Sequence, residues 1–189
     1  MPPPPYLRIF ALEPQIDAAN IIRKLKIANC EVLELALGNK SEKRIFFTSG
    51  NSDSMASLYE RHDTFIKDRK YMSTEVDVVR LDDFVKVKNI ERIDFMKMDI
   101  EGAEFETLQG AVECMSSRVL KTFTFEFGTS NVNARVFFRD IFNLLSEHNY
   151  DVFRITPAGR QIRVAEYSED IEYFARSTTY LAKLKDIQL

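Results

Sequence analysis

Three carboxylates fall within six residues in the stretch Lys97-Met98-Asp99-Ile100-Glu101-Gly102-Ala103-Glu104. Asp99 closes an apolar run, and Glu101 and Glu104 fall in the turn and first helical turn that follow. Crowded carboxylates repel and are driven toward protonation unless a cation or donor is close. A helix start gains only ~0.3–1 kcal/mol from an acid, and one acid suffices for that. The surplus favours a binding or catalytic rim, with helix-start stabilisation as the alternative. Gly102 lets the backbone turn tightly there or approach a ligand closely.

Two further positions carry the same kind of signal. Glu13 follows the run Leu7–Leu12 and precedes Pro14. A carboxylate offers two acceptor oxygens, which suits a pair of vicinal ribose hydroxyls; the alternative is an acid complementing a helix dipole. Glu126-Phe127-Gly128, followed by Ser130, Asn131 and Asn133, closes another apolar run. It is either part of an acceptor pocket beside Asp99 or a strand-to-helix turn capped by Asn.

These residues need elements to hold them. Leu7–Leu12 is a nearly continuous apolar run, as expected of a strand covered on both faces, and Glu31–Leu37 and Ile93–Asp99 read as further strands. Lys43–Thr48 and Thr74–Arg80 are further strands, and Val119–Phe127 is another. A helical stripe runs from Pro14 through about Asn29, and helices are expected over Leu81–Val87, Ala103–Cys114 (weakened at Gly110) and Val132–His148. Tyr150–Thr156, Gln161–Ala165 and Thr178–Lys183 close the chain as strands. The alternation implies an α/β fold, a mostly parallel sheet with antiparallel C-terminal strands, whose ligands bind at the carboxyl ends of the strands. Residues 49–72 are weakly patterned, as in a binding loop or a plain surface loop.

Composition narrows the classes. The 189 residues suggest one domain, over 7–189, after a Pro-rich arm at 1–6. A net charge of −3 with scattered basic residues argues against a nucleic-acid partner. Cys30 and Cys114 form no C-x-x-C pair, and His62 and His148 have no ligand spacing, which argues against a metal site. No apolar run approaches the ~18–20 residues of a membrane span, and no signal peptide is visible, so a cytoplasmic location is the default.

The segment K-M-D-I-E-G-A-E-F-E-T-L-Q-G-A (97–111) resembles the signature of the FkbM-type methyltransferases. I-F-A-L-E-P (9–14), L-A-L-G-N-K (35–40), S-M-A-S-L (54–58), V-R-L-D-D-F (79–84) and F-E-F-G (125–128) fall in that family's order. The resemblance implies a Rossmann-like class I methyltransferase fold using S-adenosylmethionine to methylate a hydroxyl on a sugar, glycolipid or polyketide-like small molecule. It implies that Glu13 binds the cofactor ribose, that Ala36 and Leu37 lie near the adenine, and that Asp99 and Glu101 sit at the methyl-transfer end. Asp99 is the first candidate to take the hydroxyl proton. Glu104, Glu126 and Asn131 are candidates for the acceptor side.

One departure stands out. The family opens with a strand and a glycine-rich loop, and no G-x-G-like loop lies upstream of Glu13. That strand sits mid-sheet, so its two neighbours are expected to carry unpaired backbone groups unless they close on each other. The intact carboxylate cluster favours a shortened product over a degenerate relative. The competing readings are a non-catalytic binding or scaffold protein and a nicotinamide-dependent enzyme, which the E-G-A-E cluster fits poorly.

Overall fold

The computed structural model describes residues 7–62, 70–173 and 177–185. The proline arm lies outside the described residues, as do positions 63–69 of the weakly patterned stretch. Among the described residues, no helix is long and apolar enough to cross a membrane.

The first unit is strand–helix–strand. β1 (Ile9–Leu12) leads into α1 (Ile16–Lys24) and returns as β2 (Cys30–Leu33), which pairs parallel with β1. Gln15 is the N-cap of α1, so Pro14 sits just ahead of the helix and not inside its first turn. The helix also ends sooner than its stripe suggests, because Lys26 and Asn29 both take positive φ.

The expected strand at 31–37 is divided: β3 (Ala36–Leu37) leaves β2 and joins a different sheet. There it lies parallel to β5 (Met72–Val79), which pairs antiparallel with β4 (Glu42–Thr48). After α2 (Leu81–Val87) come β6 (Met96–Met98), α3 (Glu104–Gln109) and α4 (Val112–Ser116). The single helix expected over 103–114 breaks at Gly110, where a Cβ would lie 2.1 Å from the Gly38 carbonyl oxygen. Only a glycine allows that approach between the helix pair and the turn after β3.

β7 (Thr122–Phe127) pairs parallel with β6, and the strands then run antiparallel. After α5 (Thr129–Ala134) and α6 (Phe138–Glu147) come β8 (Tyr150–Ile155), β9 (Gln161–Val164) and β10 (Thr178–Leu184), giving the order β6-β7-β10-β8-β9. The helix expected over 132–148 is interrupted because Arg135 adopts a left-handed conformation, φ 58°.

The α/β architecture therefore stands, but not the single mostly parallel sheet. Among the described residues three sheets form, and the parallel pairs β1–β2, β3–β5 and β6–β7 are matched by antiparallel pairing at β4–β5, β7–β10, β8–β10 and β8–β9. Among the described residues, β1 and β6 do not close on each other. Each pairs on one side only, and both line a cleft of about 1180 Å³.

The main core lies on the five-stranded sheet. Alternation on β7 buries Phe123, Phe125 and Phe127 on one face. Phe138, Ile141 and Leu145 form the buried stripe of α6 against them. Phe138 packs on Tyr180 with ring centroids 4.4 Å apart and on Phe127 at 5.3 Å. Each such ring contributes roughly 1.5–3 kcal/mol by leaving water, so the strand that carries Asp99 rests on a rigid base.

Candidate active site

Both acid-bearing strands end at the same rim of the cleft. The segment 53–57 links them. Gln15, just past β1, donates from Nε2 to the Asp53 carbonyl at 3.0 Å and accepts the Asp53 N–H at Oε1 at 2.8 Å. Four residues on, Ser57 Oγ donates to the Glu101 carbonyl, just past β6, at 2.7 Å. Four residues of chain span at most ~14 Å, so the carboxyl ends of β1 and β6 lie close together.

Asp53 makes this link stiff. Its Oδ2 accepts the Ser49 N–H and hydroxyl at 2.8 and 2.9 Å, and its Oδ1 accepts the Met55 N–H at 3.0 Å. Ser57 exchanges backbone hydrogen bonds with Phe47 of β4 at 2.8 and 2.9 Å. The described part of the weakly patterned stretch is thus fixed by side-chain-to-backbone bonds, which leave no hydrophobic period to read.

Glu13, Asp99 and Glu101 all line the cleft. The Glu13 amide continues the β1–β2 ladder to Leu33, and its Oε1 accepts the Gln15 N–H at 2.8 Å. Ala36 and Leu37, on β3, form apolar wall. Asp99 is the most open of the acids, its side chain 45 % exposed, and Lys97 Nζ donates to it at 2.6 Å.

Glu101 sits in a left-handed conformation, φ 53°. Burial pushes its carboxyl up to about 6; the Arg61 guanidinium opposes this, and the negative charges of Glu126 and Asp99 add to it. Arg61 is the functional candidate that the sequence did not signal. It lies in the weakly patterned stretch and belongs to no motif, yet it is almost fully buried against Glu101.

The structure separates Glu104 from the other acids. Its side chain is fully buried, its Oε1 accepts the Ile100 N–H at 3.1 Å, and its Oε2 accepts the Gly102 N–H at 2.9 Å. Burial raises its carboxyl to about 7, against the lowering by backbone donors. It shapes the turn that presents Glu101 and does not line the cleft. Gly102 is required in the same turn: its φ is +105°, and a Cβ would lie 2.9 Å from the Ser130 carbonyl oxygen.

Glu126 and Asn131 do not line the cleft either. Glu126 is half-buried on β7, its carboxyl raised by burial and then by Asp99. Asn131 is fully buried, and its Oδ1 accepts the Gly128 N–H at 2.8 Å, closing the turn into α5.

Residues 5–152 match the family described as Methyltransferase FkbM domain. Methyltransferase 1 of Beauveria bassiana (strain ARSEF 2860) is 32 % identical over 65 residues, 34 % of this chain and 26 % of that protein. The crystal structure of Methyltransferase FkbM from Methylobacillus flagellatus KT aligns over 92 % of this chain and 36 % of that one, at 17 % identity and a TM-score of 0.49. The matched regions are thus about a quarter of the curated relative and about a third of the solved structure.

Proposed function

The chain belongs to the FkbM methyltransferase domain family, and we propose that it uses S-adenosylmethionine to methylate a hydroxyl on a small-molecule or glycan acceptor. The observation that carries this reading is the meeting of Glu13, Asp99 and Glu101 on one cleft at the carboxyl ends of β1 and β6.

The residues present fit the cofactor. An acid with two acceptor oxygens stands at the end of β1, apolar wall lies beside it at Ala36 and Leu37, and the far rim is acidic. That sequence matches a ribose, a flat base and a positively charged sulfonium. Bound there, S-adenosylmethionine supplies a methyl group on a sulfonium sulfur, the S–C bond breaking as the acceptor oxygen bonds to that carbon. Glu13 would hold the ribose hydroxyls, and Ala36 and Leu37 would pack on the adenine. Asp99, open to the cleft, takes the acceptor's hydroxyl proton at its carboxylate. Glu101 provides fixed negative charge at the same rim. General-base assistance of this kind contributes about 10²–10⁴-fold, and the remainder comes from positioning and exclusion of water.

A second reading is a binding protein that does not turn over. It is favoured by β1 and β6, which among the described residues each pair on one side only and both line the cleft.

Isothermal titration of the purified chain with S-adenosylmethionine tests the first reading. Binding is expected, and Glu13→Gln is expected to weaken it about tenfold or more, because a charge-assisted hydrogen bond is worth roughly 1.5–3 kcal/mol. Absence of binding at millimolar cofactor overturns the proposal.

A further inference from the structure

Glu101 is held at two points by one short segment. Ser57 Oγ donates to its carbonyl at 2.7 Å, and Arg61 Nη1 donates to its carboxylate Oε2 at 2.5 Å. The segment is itself braced, because the Tyr59 N–H donates to Ser57 Oγ at 3.0 Å. The Arg61 side chain is 3 % exposed and that of Glu101 is 18 % exposed. Glu101 lines the cleft and Arg61 does not.

The charges facing Glu101 are Asp99 after β6, Glu126 on β7 and Arg61 from the 57–61 segment, with Glu104 beneath the turn. Lys97 is bonded to Asp99. The acids all favour protonation of Glu101, so Arg61 is the facing group that opposes them. Burying a guanidinium is costly unless its partner is charged and well placed.

We propose that Arg61 is a positioning residue: it aims the Glu101 carboxylate at the cleft and keeps it ionised, so that the rim holds a cationic ligand at neutral pH. The ligand class rests on the proposed use of S-adenosylmethionine; the pairing itself does not. Removing the guanidinium leaves a half-buried carboxylate among three others, and such a group gains a proton. Loss of the pair therefore moves the titration of Glu101 upward, toward or beyond neutrality. Because Glu101 lines the cleft and Arg61 does not, most of the effect of Arg61 on ligand affinity is expected to pass through Glu101 and to disappear once Glu101 is neutral.

The experiment uses the whole chain, labelled with ¹³C at glutamate carboxyls and assigned by Glu101→Gln. The Glu101 titration is followed by NMR in the wild type, Arg61→Met and Arg61→Lys. Titration calorimetry with S-adenosylmethionine is then run from pH 5.5 to 8.5. The midpoint is expected near 6 in the wild type, at least one pH unit higher in Arg61→Met, and close to the wild-type value in Arg61→Lys. Cofactor affinity is expected to fall as pH drops through each variant's own midpoint, and Arg61→Met is expected to cost much less in a Glu101→Gln background than in the wild type. Arg61→Lys keeps the charge and makes the test independent of whether Arg61→Met folds. A midpoint unchanged in Arg61→Met, or raised equally by Arg61→Lys, overturns the positioning role. A midpoint that moves while affinity does not follow supports the pairing and overturns the proposed ligand.

Discussion

Replacing Glu104 by glutamine removes a titration from the core, and the consequence follows from burial and partners. The carboxyl is fully buried and raised to about 7, with burial as the main cause. In the unfolded chain a glutamate titrates near 4.5. The native state therefore binds this proton more tightly than the unfolded state does. The stability this gives is complete below about pH 4.5 and is lost as pH rises through about 7. A raise of about 2.5 units at 1.36 kcal/mol per unit makes the loss roughly 3 kcal/mol by pH 8. Glutamine cannot titrate but has one acceptor oxygen, so one of the Ile100 and Gly102 amides faces its NH2 and loses its acceptor, a pH-independent cost of about 1–3 kcal/mol. The variant is expected to be less stable than the wild type at pH 5 by that cost, and the difference is expected to shift in its favour by about 3 kcal/mol between pH 5 and pH 8, or roughly 6–12 °C in melting temperature. Urea unfolding at a series of pH values measures the difference directly. A difference that stays constant from pH 5 to pH 8 would show that the native carboxyl is not raised, and the assignment of Glu104 as a buried turn acid would fail.

The remaining predictions concern the same turn, the core beneath it and the rim. Gly102→Ala combines φ +105° with a Cβ 2.9 Å from the Ser130 carbonyl, so a loss of about 1–3 kcal/mol is expected in chemical denaturation; an unchanged midpoint contradicts the geometry. Phe138→Ala removes a fully buried ring packed on Tyr180 and Phe127. It is expected to cost about 3–5 kcal/mol, seen as a thermal midpoint lowered by roughly 6–20 °C. Asp99→Asn is expected to retain cofactor affinity in calorimetry and to lower methyl transfer about 10²–10⁴-fold; undiminished turnover with an accepted substrate removes Asp99 from the reaction.

Local rules made much of this fold legible. The runs at Lys43–Thr48, Leu81–Val87 and Tyr150–Thr156 fall within a residue or so of the observed elements, because each carries its own period and its own stops. What escaped depends on partners distant in sequence. The break before α6 is closed by Glu172, whose two oxygens accept the Phe138 and Arg139 amides at 2.7 and 2.9 Å. The start of α4 is served by the buried Asp82, which accepts the amides of Glu113 and Cys114 at 3.1 and 2.9 Å. A cap supplied from more than thirty positions away has no local spacing to betray it. The division of 31–37 into β2 and β3 was hidden for another reason: a short strand-like stretch reads alike whether it serves one sheet or two. At the rim, the acids were visible because carboxylates crowd conspicuously, whereas Arg61 is one basic residue among many and gains significance only by being buried.

The crowding of acids is resolved by giving each a different partner. Glu13 takes a backbone amide at the approach to α1, Asp99 an exposed lysine, Glu101 a buried arginine, and Glu104 two amides of the turn. These partners differ in what they leave available. Amides at Ile100 and Gly102 occupy both oxygens of Glu104, which is then spent on shape. A flexible, solvated lysine holds Asp99 loosely, and exposed pairs of this kind contribute little. That leaves Asp99 able to exchange its partner for an acceptor hydroxyl. Arg61, planar and buried, holds Glu101 firmly, so Glu101 is suited to a constant charge and Asp99 to a transient one. The two roles follow from the two cations, which is why substitution of Lys97 should disturb this rim far less than substitution of Arg61.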